Sequence, residues 1–80
     1  MAKELKDMNE QETMLFSLYA DLEYALVQEY EHMDVENISF HLRKTVGWWS
    51  SQLHDLGLLD TYHYENAQKM ADGDDSWGNS

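Results

Sequence analysis

Residues 35–57 read VENISFHLRKTVGWWSSQLHDLG, and the fold turns on whether this stretch is one helix or two. Val35, Ile38, Leu42, Val46, Trp49, Leu53 and Leu56 step by three and four residues without a slip, which is the period of a single apolar helix face. The run crosses Gly47 in phase, so it reads as one helix from about 35 to 56. Asp34 offers an N-cap, and Glu36 suits the positive end of the helix dipole. Gly57 supplies the left-handed residue that commonly stops a helix. The alternative is a break at Gly47 that leaves two shorter helices.

Upstream, Asn9 and Glu12 have the spacing of a capping box, here with Asn in place of Ser. Leu15, Leu18, Tyr19, Leu22, Leu26, Tyr30 and Met33 then recur on one side, predicting an amphipathic helix over about 10–32 with these residues as its core stripe. Phe16, Ala20 and Val27 form a minor stripe beside it. Downstream, Leu58 and Leu59 read as a buried connector, and Asp60 or Thr61 caps a short helix over about 62–71 that Gly73 ends. The expected fold is all-α: an antiparallel helical hairpin, a short third helix, and a loose acidic tail over 72–80. Residues 1–71 form its single domain. No repeat is present, and β-branched residues are too scarce for a sheet.

With 80 residues and no cysteine, the chain has neither a disulfide framework nor a thiolate zinc site. No apolar run approaches the roughly 20 residues that span a bilayer. Lys3 and Lys6 alternate with Glu4 and Asp7, unlike the start of a secretory signal. The expectation is a soluble cytoplasmic protein without a membrane partner. Two long helices and one short one bury a thin core, so a homodimer is the expected way to complete it.

The net charge of −11 is unevenly spread. Residues 1–36 hold ten acids against two lysines, residues 37–71 are neutral, and residues 72–80 add three aspartates. Five basic residues neutralise few phosphates, so nucleic acid is not the expected partner. The acids of the first helix, Glu10, Asp21, Glu23 and Glu31 among them, have two readings. They keep a small protein soluble, or they imitate a row of phosphates and occupy the basic groove of a nucleic-acid-handling enzyme.

Several aromatic residues exceed what the core stripe uses. Phe40 lies opposite the Ile38–Leu42–Trp49 line and Trp48 on its flank, while Phe16 belongs to the minor stripe. Together with Trp49 they are the candidate apolar anchor of a protein interface, since Trp, Tyr and Phe dominate binding hot spots. The competing reading is that the third helix and Trp77 cover them. Small size, strong acidity, absence of a catalytic motif and spare aromatics resemble, in style, the inhibitors that phages and other mobile elements direct at host enzymes. The expectation is therefore a non-enzymatic inhibitor or adaptor that binds a host protein.

Chemistry finds little purchase. Glu29 with His32, and Asp60 with His63, have Glu/Asp-x-x-His spacing, but a metal site needs further ligands from facing helices. No serine sits in a nucleophile elbow, and the four glycines are isolated rather than gathered in a phosphate loop. Neither a cofactor nor a metal is expected. If Gly47 breaks the second helix, Val35–Lys44 and Trp48–Leu56 become a helix pair, and Gln52–Asp60 resembles the recognition-helix exit of winged-helix regulators. That resemblance implies a DNA reader, although the helix in question carries no Lys or Arg for phosphate. A self-associating structural protein is the second alternative.

Overall fold

The computed structural model describes residues 3–74, 76 and 77; the remaining positions, which include Asp75 and 78–80 of the expected tail, lie outside the described residues. Three helices follow in chain order: α1 (Glu10–His32), α2 (Phe40–Asp55) and α3 (Thr61–Ala71). Short 3₁₀ turns at Leu5–Asp7 and Val35–Asn37 precede α1 and α2. The chain is all-α, a helical hairpin with a shorter third helix, and no strand occurs among the described residues.

Each helix begins where a side chain can take an orphan amide. Asn9 accepts the Glu12 amide N–H at 2.8 Å, and Glu12 accepts the Asn9 amide N–H at 2.9 Å, which completes the capping box. Asp60 accepts the His63 amide N–H at 2.8 Å and caps α3. The second helix corrects the expected boundary. Asp34 makes no side-chain cap, and residues 35–37 form only a 3₁₀ turn. The cap is Ser39, whose Oγ accepts the Leu42 amide N–H at 3.3 Å. Ile38 explains the shift: it is extended and buried, so it plugs the core from the connector rather than from a helix face.

Gly47 does not interrupt α2, so the helix pair required by the winged-helix alternative is not formed, and Thr61–Ala71 is helix where that reading needs a wing. Both α2 and α3 end in Schellman motifs. After α2, the Leu58 amide N–H reaches Leu53 O and the Gly57 amide N–H reaches His54 O, with Gly57 at φ +75°. Leu53 and Leu58 are both buried there, the apolar contact that usually accompanies this motif.

Helix α2 packs against both of the others. The core joins Tyr19 and Leu26 of α1, Val46 and Leu53 of α2, Ala67 and Met70 of α3, and Ile38, Leu58 and Leu59 from the connectors. The core face of α1 is rotated relative to the expected stripe. Leu15, Leu18 and Met33 are exposed, Leu18 to 57%, whereas Phe16 and Val27 of the minor stripe pack against the core. Phe16 lines a cleft with Met8, Leu58 and Leu59, and Val27 lines one with Met70 of α3, so this side of α1 is bordered by the lead-in, the α2–α3 connector and α3 together.

Where α2 meets α3 the contact is polar and close. Gln68 Nε2 lies 2.8 Å from Gly47 O, 3.0 Å from Ser50 Oγ and 3.2 Å from Ser51 Oγ. Ser50, fully buried, donates its own hydroxyl to Gly47 O at 2.7 Å. The last carbonyls of α3 are taken by the other helices. Tyr30 Oη of α1 donates to Met70 O at 2.7 Å, and Arg43 Nη1 of α2 donates to Ala71 O at 3.3 Å. Trp77 lies edge-on to Tyr30, with ring centroids 5.5 Å apart.

Candidate protein-binding surfaces

Two surfaces carry features that packing alone does not use. The first is the outer face of α2. Trp48 lies eight helical steps beyond Phe40, an axial rise of about 12 Å, and the two side chains are 59% and 61% exposed. Lys44 lies between them in sequence and places its Nζ 5.5 Å from the Phe40 ring centroid, with the Arg43 guanidinium at 5.7 Å. The face is therefore aromatic with a cationic fringe. Lys44 is also 3.8 Å from the exposed Asp72, a weak surface pair.

The four candidate anchor residues are not equivalent. Trp49 lies against Trp48 (6.3 Å between centroids, edge to face) but packs half-buried on the core, as does Phe16. Only Phe40 and Trp48 are presented to solvent. The acids also divide. Glu10, Asp21 and Glu31 are exposed on α1, whereas Glu23 is half-buried. Two helical positions apart corresponds to about 200° of rotation, so Glu23 points away from Asp21 and into the groove between α1 and α3.

That groove is the second surface. It holds a cleft of about 270 Å³ lined by Phe16, Tyr19, Glu23, Leu58, Asp60 and His63 among others. An adjoining cleft of about 190 Å³ is lined by Val27, Tyr62, Met70 and Trp77, and Glu23 and His63 border both. Tyr19 is 1% exposed, and its hydroxyl oxygen is buried without a hydrogen bond of good geometry. Burial, and secondarily the neighbouring Glu23 carboxylate, push the Tyr19 hydroxyl well above its ordinary pKa. Asp60 moves the other way. The His63 amide N–H it accepts holds its carboxyl below the usual range, and the His63 ring, 2.7 Å away, adds to this.

The Asp60–His63 spacing thus serves a helix cap and an adjoining side-chain contact. Among the described residues no three His, Asp or Glu side chains are grouped so as to hold a metal ion. No described helix is long and apolar enough to cross a membrane. Tyr19 and His63 were not legible as groove residues in the sequence, because their meeting depends on where α3 crosses α1. No family model, no curated protein and no solved structure matches the chain.

Proposed function

We propose that the chain is a non-enzymatic protein-binding module, a small acidic inhibitor or adaptor that uses the outer face of α2 as its apolar anchor. The observation that carries this reading is the exposure of Phe40 and Trp48 on a helix whose opposite side already fills the core. Large aromatics are costly to leave in water and are the residue types on which interfaces concentrate their energy. The exposed acids of α1 supply a second element, a field that draws in a basic partner surface. A nucleic-acid-handling enzyme with a basic groove is the partner class that best fits such a field.

The test is capture from host lysate with the full chain beside its Phe40→Ser/Trp48→Ser variant. Loss of the captured protein in the variant supports the anchor, and unchanged capture sinks it. Elution in rising salt separates the two elements, because raising salt from about 0.05 to 0.5 M shortens the Debye length severalfold. Steep release supports phosphate-like mimicry by the acids, and a flat response assigns the affinity to the aromatics.

Self-association is the second reading, supported by Met14, Leu15 and Leu18, which stand exposed on one flank of α1. Sedimentation equilibrium of the chain and of Leu18→Glu tests it: a dimer mass that falls to the monomer in the variant favours this reading.

A further inference from the structure

We propose that the groove between α1 and α3 binds the guanidinium of an arginine presented by a partner polypeptide, with Glu23 as its counter-ion. This surface is distinct from the Phe40–Trp48 face and does not depend on it. Glu23 is half-buried where the two clefts meet, and no lysine or arginine among the described residues pairs with it. Lys3, on the rim, is engaged by Glu12 at 2.8 Å. Asp60 adds a second carboxylate, shared only with His63. A partly desolvated carboxylate without a cation is an unfavourable arrangement that an incoming cation relieves.

Two more observations narrow the ligand. The Tyr19 hydroxyl, buried beside the Glu23 carboxylate, is a neutral neighbour that leaves the charge of that carboxylate uncompensated. The rest of the wall is apolar, with Leu5, Met8, Phe16 and Leu58, and suits an alkyl stem beneath a charged head. Arginine fits better than lysine, because its planar fork meets a carboxylate bidentately, stacks on aromatic rings and sheds water more readily than an ammonium. A polypeptide source fits better than a free polyamine, because the adjoining cleft of Val27, Tyr62, Met70 and Trp77 can receive a neighbouring side chain.

The experiment is an amide chemical-shift titration of the full chain at low salt. Four probes are used: Nα-acetyl-arginine N-methylamide, the corresponding lysine and citrulline amides, and spermidine. Saturable shifts at residues 19–23 and 60–63 are expected with the arginine probe, with affinity at least tenfold lower for citrulline, its uncharged isostere. Glu23→Gln should weaken the arginine probe by a similar factor, and Phe40→Ser/Trp48→Ser should leave it unchanged. The probe comparison requires no variant to fold. Equal affinity for citrulline and arginine, failure to saturate, or full affinity in Glu23→Gln overturns the proposal. Tighter binding of lysine overturns the choice of arginine, and tighter binding of spermidine the choice of a polypeptide.

Discussion

A Cβ placed on Gly47 would stand 2.7 Å from the Cβ of Ala71, so α2 and α3 touch at a point where only glycine fits. Real Cβ atoms do not approach so closely, and the Ala71 methyl is no flexible tip that can swing aside. The mid-helix glycine costs about 1 kcal/mol in helix propensity relative to alanine. Close approach of the two backbones is what retains it.

Gly47→Ala therefore sets two effects against each other. Propensity favours alanine by about 1 kcal/mol, while overpacking a tight contact costs about 1–3 kcal/mol. Overpacking should win, with net destabilisation of about 1 kcal/mol in urea unfolding. Adding Ala71→Gly should recover much of the loss, and a double-mutant cycle without coupling would show that the two sites do not meet.

Gln68 has two amide hydrogens and three oxygens in reach, so at most two of those bonds form at once. Ser50→Ala should then be mild, about 1 kcal/mol, because Gly47 O keeps Gln68 as a donor. Gln68→Met should cost more, about 1–3 kcal/mol, since it strips donors from buried oxygens. Equilibrium unfolding of both variants checks the order, and the reverse ranking would assign the junction to Ser50.

Much of this architecture was legible in the sequence, and the departures have local causes. The capping box at Asn9, the passage of α2 through Gly47 and the Gly57 stop follow from short-range patterns that contain their own physics. The start of α2 did not follow, because Asp34 and Ser39 are equally plausible caps until Ile38 is seen to leave the helix for the core. The expected core stripe of α1 held at Tyr19, Leu22, Leu26 and Tyr30 and failed at Leu15, Leu18 and Met33, because an apolar arc that wide does not say which edge is covered. Phe16 borders Met8 of the lead-in and Leu58 and Leu59 of the connector, neighbours that no pattern within α1 reveals, whereas Leu18 is exposed. The wheel placed Phe40 and Trp48 off the core line but left open whether the third helix and Trp77 cover them, and the α1–α3 groove exists only in three dimensions.

The α3 cap gives a pH dependence with a definite sign. The folded-state pKa of Asp60 lies below its ordinary value, chiefly through the His63 amide N–H. Its stabilisation is thus present above the ordinary carboxylate pKa of about 4 and is lost as pH falls through the lower folded value. Asp60→Ala should cost about 1 kcal/mol at neutral pH. That gap should narrow when unfolding is measured near pH 2.5, well below the ordinary carboxylate pKa. A gap that stays constant with pH would show that the carboxylate charge contributes nothing to the cap.

Phe40→Ser/Trp48→Ser should leave stability within about 0.5 kcal/mol of the parent, because both side chains are exposed and neither one caps a helix or fills the core. Phe16→Ala should cost about 2 kcal/mol or more through the contact it makes with the core. Thermal melts of the two variants separate a surface built for a partner from one required by the fold.

The carbonyls that close α3 are taken by Tyr30 from one helix and Arg43 from another. Helix ends are ordinarily the first amides to exchange with solvent, because they fray one turn at a time. Here the final turn of α3 cannot lift without releasing both neighbours. Amides 69–72 should therefore exchange with deuterium at rates set by opening of the whole domain. The end of its shortest helix thus becomes the latch on which the cooperativity of the three depends.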